Sequence, residues 1–299
     1  MFRILVLLFL IILPPYVSVI AQVEIAQSSI PGPNELSLIV MKGESGLRYV
    51  GSVIEKNERE LTIMTDEGTK ITILLSNILD IRAIPKNLIQ DGEYWYPNPN
   101  DSRYLFAPSA FNLKKGEGYY QNTYLFINSF NYGITDNFSM GLGFEFLSTF
   151  GSLGNGSFDP IFFVTPKYST QVSENMRVGV GVLVGKITDN IGGFGVSYGL
   201  VTYGNPEHNA TLGLGFGLFD GQLRSDPVIT ISGMTRLSRR ISLVTENWFF
   251  PADVYRGIIS YGIRFFGETM SVDLALINND DFTEIFPIGI PYVDFVVKF

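Results

Sequence analysis

Six charged side chains interrupt stretches that are otherwise apolar or rich in glycine and serine: Glu145, Lys167, Arg177, Arg236, Arg264 and Asp273. Charges on such a background do electrostatic chemistry. They pair with one another, as Arg264 with Asp273 or Arg177 with Glu145, or they select a charged solute. Acid–base catalysis is not indicated. Nucleophilic hydrolases need a serine or its equivalent, an imidazole base and a group that orients it. The single histidine, His208, falls in the turn Asn205-Pro206-Glu207-His208-Asn209, which suits a surface turn better than a catalytic base. No catalytic residue is assigned and no enzyme activity is expected. Asp280, Asp281 and Glu284 have the hard oxygen ligands a Ca²⁺ ion would want, but acidic loops are more often simply solvated, so no metal site is assigned. Gly213-Leu214-Gly215-Phe216-Gly217 is strand alternation rather than a phosphate-binding turn, and no cofactor site is assigned.

The elements that position these charges follow from composition. Among 299 residues there are 24 Phe, 15 Tyr and 31 Gly, with 17% charged residues. Yet no window beyond the N-terminus approaches the roughly 18 consecutive apolar residues of a membrane helix. The apolar residues are therefore dispersed by alternation. Residues 1–21 are the exception: Arg3, an apolar run from Ile4 to Ile12 and Val19-Ile20-Ala21 read as an export signal cleaved before Gln22, and Pro14-Pro15 interrupts the run before it could span a bilayer. The absence of cysteine excludes disulfides, thiolate metal sites and a lipidated N-terminal Cys. A net charge of -8 argues against nucleic acid as a partner.

After an N-terminal linker at 22–35, residues 36–84 read as five short strands punctuated by Gly43-Glu44-Ser45-Gly46, Lys56-Asn57-Glu58-Arg59 and Asp66-Glu67-Gly68. Their order, with the short turn Leu75-Ser76-Asn77-Ile78 before the last strand, resembles the small SH3-like or Sm-like barrels. A protein-interaction module and a structural spacer both suit this domain. Residues 85–102, with Tyr94-Trp95-Tyr96-Pro97-Asn98-Pro99-Asn100 near their centre, are expected to be a linker whose rings pack at the mouth of the next domain or at a membrane interface.

From 103 to 299 the alternation predicts about twelve strands, beginning with one at 103–113 and one at 119–133 and ending at 291–299. Phe138, Met140, Leu142, Phe144 and Phe146 oppose Ser139, Gly141, Gly143 and Glu145; Met270, Val272, Leu274 and Leu276 oppose Ser271 and Asp273. The polar face is too small and sparse for a solvated outer surface. Connections also alternate. Residues 134–137, 171–175, 205–209, 238–239 and 267–268 read as tight turns, and 148–159, 187–193, 220–226 and 278–291 as longer loops. The chain ends on Val293, Phe295, Val297 and Phe299 sharing one face, with Asp294 and Lys298 on the other.

On these residues, 103–299 resembles the outer-membrane β-barrel proteins of Gram-negative bacteria, an all-β fold. The resemblance implies short periplasmic turns, longer extracellular loops, both termini in the periplasm and an aromatic C-terminal strand recognised by the barrel-assembly machinery. It places residues 22–102 in the periplasm, the barrel in outer-membrane lipid, and a periplasmic protein partner against residues 36–84. A Lys or Arg at the lipid midplane costs about 2–4 kcal/mol, so the six charges should face inward or sit near a rim. Twelve tilted strands give a backbone radius of roughly 12 Å. Two or three ion pairs could close such a lumen, so a plugged structural or binding barrel and a narrow passive pore both remain open. A soluble secreted β-protein is the third reading.

Overall fold

The computed structural model describes residues 30–43, 47–90, 92–154, 160–187, 193–250, 257–279 and 286–299. The export signal and the acidic residues Asp280, Asp281 and Glu284 lie outside them. The chain divides into two units, Met1–Trp95 and Tyr96–Phe299.

In the first unit, β1 (Leu36–Met41), β2 (Arg48–Lys56), β3 (Glu60–Met64), β4 (Lys70–Leu74) and β5 (Ile78–Ala83) form an antiparallel sheet ordered β4-β3-β2-β1-β5. Alternation sends Leu61 and Ile63 into a core with Ile39, Val53, Ile73, Ile78 and Ile81, while Thr62 and Thr72 meet on the exposed face. A 3-10 turn at Leu75–Asn77 joins β4 to β5, in the order the SH3-like reading expects. A small hairpin of β6 (Ile89–Gln90) and β7 (Glu93–Tyr94) follows.

The second unit is a barrel. Its strands are β8 (Gly118–Thr123), β9 (Ile127–Gly133), β10 (Phe138–Glu145), β11 (Phe162–Val164), β12 (Lys167–Ser173), β13 (Met176–Lys186), β14 (Gly193–Gly204), β15 (His208–Phe219), β16 (Gln222–Ser238), β17 (Ile241–Phe249), β18 (Ile259–Phe266), β19 (Met270–Asn278) and β20 (Ile290–Lys298). β11 and β12 are two halves of one strand, since both pair with β10 and β13. Pro166, which has no N–H to give the ladder, stands at the break. The barrel thus has twelve antiparallel strands, closed where β20 pairs with β8. At that seam Phe299 and Gly118 exchange both backbone hydrogen bonds (2.8 and 2.9 Å), and a side chain at Gly118 would collide with the Phe299 ring.

Two expected strands are corrected. Residues 103–113 form no wall strand: they hold an isolated bridge, Arg103 with Pro108, in a largely buried segment. Residues 119–133 are two strands, β8 and β9, reversed at Tyr124 and Leu125, both in the left-handed region (φ 54° and 68°). The errors offset each other in the count. Residues 220–226 are likewise not a long loop, because β16 begins at Gln222 and the reversal is Asp220-Gly221. The first wide connection instead carries a helix, α1 (Phe146–Gly154).

The exterior is apolar and the interior polar. Val180, Leu142 and Leu212 are 59%, 55% and 55% exposed, whereas Ser139, Thr211, Ser232, Ser242, Ser260 and Ser271 are buried. In water each such Leu would forgo roughly 1.5–3 kcal/mol of burial; facing lipid it is satisfied, and the closed ladder leaves no strand edge unpaired. β14 reverses the local pattern, turning Phe194, Val196, Tyr198 and Leu200 inward. Glycines on its neighbours make room: a Cβ at Gly181 would strike the Tyr198 ring, and one at Gly215 would crowd Val196 at 3.1 Å. These inward glycines seat large side chains rather than leaving a wide bore.

Candidate functional site

The site is the barrel interior and the segment 96–113 that occupies it. This segment is anchored by wall side chains whose donors and acceptors are spent on its backbone. On β18, Arg264 is fully buried and aims its planar fork two ways. Nε and Nη2 each reach Asp273 of β19 at 2.7 Å. Nη1 donates to the carbonyl of Asn100 and, at 3.3 Å, to that of Arg103, and Nη2 donates to the carbonyl of Tyr104 at 2.7 Å. A bidentate ion pair thus doubles as a clamp. On β17, Glu246 Oε2 accepts from three successive N–H groups, Leu105, Phe106 and Ala107, at 2.9, 2.9 and 2.8 Å, a backbone nest for an anion. Its other oxygen takes the Trp248 indole N–H at 2.8 Å.

A second charge cluster needs the segment itself. Asp273 and Asp294 stand directly opposite on β19 and β20, a like-charge cross-strand pair that is unfavourable alone. Arg264 compensates the first. Arg103, carried in by the inner segment, reaches Asp294 at 2.7 Å and the Tyr292 hydroxyl at 3.3 Å, and Gln121 adds a bond to Asp294 at 3.0 Å.

The remaining anchors spread round the wall. Lys167 Nζ on β12 donates to the carbonyls of Ser102, Ser109 and Phe111 at 3.2, 3.0 and 2.6 Å, using all three ammonium protons. The Ala110 N–H donates to Thr202 at 2.8 Å, and the Tyr104 hydroxyl bonds Asn209 and Thr211 at 2.6 and 2.7 Å. Arg236 donates to the Tyr96 carbonyl (2.9 Å) and to Glu207 (2.7 Å), with its guanidinium over the Phe266 ring. The Tyr96 hydroxyl donates to the Phe266 carbonyl at 2.9 Å. Tyr96 is buried where β16 and β18 run into their tight turns.

Of the six charges singled out by sequence, Arg264, Asp273, Lys167 and Arg236 are buried within this arrangement. Arg177 and Glu145 do not meet. Arg177 donates to Gln171 at 2.8 Å and lies over the Phe111 ring, while Glu145 accepts the N–H groups of Leu147 and Ser148 at the start of α1. Sequence reasoning missed Glu246, Asp294, Arg103 and Tyr292. For Glu246 and Asp294 a signal existed, a carboxylate on the polar side of a strand, as at Asp273. His208 is exposed, with Nδ1 2.8 Å from the Thr235 hydroxyl.

The segment does not fill the interior evenly. Beside it lies a cavity of about 300 Å³ whose wall comes from β8 to β14 and whose inner lining includes Ser102, Arg103, Phe106 and Leu113.

A closed antiparallel barrel with an apolar exterior, a polar interior and short turns at one end defines the outer-membrane β-barrel class. Among solved structures, the NanC porin is 9% identical, with 61% of this chain and 96% of that one covered and a TM-score of 0.38. A triple mutant of the Rh. blastica porin is 11% identical over 89% of this chain and 97% of that one (TM-score 0.33). A loop-deletion mutant of OmpT, an outer membrane protein of Vibrio cholerae, is 9% identical over 89% and 96% (TM-score 0.30). These scores are low, and the class rests on the barrel's own closure and surface. No family model and no curated protein matches the chain.

Proposed function

We propose that this is an exported outer-membrane barrel whose lumen is closed by its own inner segment, and that it serves a structural or binding role rather than free passage of solutes. The carrying observation is the fixing of residues 100–111 to the wall by Arg264, Glu246 and Lys167, with Arg103 completing a charge cluster that the wall alone leaves unbalanced. A freely moving linker would not carry the counter-ion for a buried wall carboxylate. In this reading residues 22–95 lie in the periplasm, short of the expected boundary at 102 because Tyr96, Asn98 and Asn100 are bonded to the barrel, and 36–84 offers a surface to a protein partner. Val293, Phe295, Val297 and Phe299 form the face that the assembly machinery reads. No step of catalysis is assigned. Conductance in a planar bilayer tests the proposal: the purified full chain should give rare, small openings, and steady ohmic current would overturn it in favour of a narrow pore.

A further inference from the structure

Toward the end of the barrel opposite its tight turns, the lumen changes character. Along β16–β19 the inward positions held deeper in by Thr230, Glu246, Ser260 and Asp273, all buried, pass two to four residues further on to Val228, Trp248, Ile258 and Ile277. Val196 of β14 and Phe219 of β15 line the same space. So does Phe106, at the turn of the Arg103–Pro108 bridge, which is 48% exposed in a segment that is otherwise largely buried. Together they form a cavity of about 860 Å³, open at one end, within the range of roughly 300–1,000 Å³ usual for small-molecule sites. This lining faces water rather than lipid, so covering it with an apolar body is favourable. Its polar groups are already spent. Among the described residues the charged ones lining it are Arg224, Asp226 and Glu246. Glu246 gives one oxygen to three inner-segment N–H groups and the other to the Trp248 indole, and the Ser260 hydroxyl donates to the Glu246 carbonyl. Arg224 and Asp226 are 3.9 Å apart, opposite in sign and more than half exposed, so they offset each other in water. A charged ligand would give up hydration here with no partner to replace it, whereas an uncharged ring gains contact with Phe106, Phe219 and Trp248.

We propose that this mouth binds a small uncharged aromatic molecule with one polar end, its ring among Phe106, Trp248 and Ile277 and its polar end toward Arg224, Asp226 and bulk water. The site rests on the closed-lumen reading, since Phe106 supplies its inner face only while the inner segment stays seated. The chain has two tryptophans, Trp95 and Trp248, so in the full-length Trp95→Phe protein Trp248 is the sole indole and reports on the site directly. That protein, in phosphatidylcholine nanodiscs where no free detergent competes, is titrated with para-bromobenzyl alcohol, para-bromobenzoate and para-bromobenzylamine. The alcohol should quench Trp248 emission saturably, with a midpoint at least about tenfold lower than that of either ion, a difference of about 1.4 kcal/mol. Adding Gly217→Leu should abolish the saturable phase. Gly217 lines the cavity, and a Cβ there meets the Phe219 ring and the Arg224 chain at ordinary contact distances of 3.4 and 3.5 Å, so the larger side chain fills the space without straining the wall. Val228→Phe serves the same purpose if the first variant loses heat-modifiable migration. Non-saturating quenching shared by the open and filled proteins, equal midpoints for the alcohol and an ion, or saturable quenching undiminished in a folded filled variant would overturn the site. Those outcomes leave the closed lumen standing, which bilayer conductance reads separately.

Discussion

Against β15–β20 the inner segment is held by a dense set of charged and hydroxyl side chains, whereas against β8–β14 its side-chain anchors are fewer, among them Lys167, Thr202, Ser139 bonded to Asn112 and Arg177 over the Phe111 ring, and part of it faces a cavity. The two sides spend their polar groups differently. Arg264, Asp273, Glu246 and Asp294 turn inward-facing charge into bonds with one backbone, and each would be costly to leave buried and alone. On the other side Ser129, Asn131 and Tyr198 are neutral, so leaving space beside them costs little. The difference teaches that the same barrel wall can serve as a clamp or as a pocket, depending on whether its inward residues carry charge that must be matched.

The comparison breaks first at the clamp. Arg264→Met should cost about 3–5 kcal/mol, because it strands Asp273 beside Asp294. The midpoint of urea unfolding in detergent should fall accordingly, and bilayer current should rise as the segment loosens. Glu246→Gln keeps the shape but weakens acceptance from three N–H groups, for about 1.5–3 kcal/mol and a smaller rise in current. On the pocket side Leu183→Ala should cost under about 2 kcal/mol, since the half-buried side chain already borders open space. A loss equal to that of Arg264→Met would mean the two sides are not different in kind.

The smallest effect is at the seam. Burial works against ionisation of Glu117, but the Lys114 N–H and the Lys298 ammonium, 3.1 Å away, outweigh it and hold its carboxyl below the usual range. A depressed carboxyl stabilises the fold above its unfolded pKa, and that contribution disappears as pH falls through the folded value. Glu117→Gln should therefore flatten the acid limb of a pH–stability curve, by under about 1 kcal/mol because the pair is partly exposed. An unchanged acid limb would remove the seam pair from the account.

Much of the wall was legible because its physics is local. Period-two alternation is written into each strand, as in Phe138–Phe146 or Met270–Leu276, and lipid outside with a polar interior fixes which side is which. The hairpin at Tyr124-Leu125 was hidden because it turns through two large residues in the left-handed region, with no glycine, proline or Asn-Gly to announce it. Residues 103–113 misled for the converse reason: their apolar side chains look like a strand's, but Pro108 and the segment's buried hydrogen bonds belong to a short bridge inside the lumen.

By itself, then, the sequence determined that this chain makes an alternating all-β barrel with an apolar skin and inward charges, because side-chain parity is a property of neighbouring residues. Only the tertiary structure decided what those charges do. Arg264 meets Tyr104 across 160 residues and Arg103 meets Asp294 across 191, and contacts that distant depend on barrel closure and on where the inner segment lies, which no local pattern encodes.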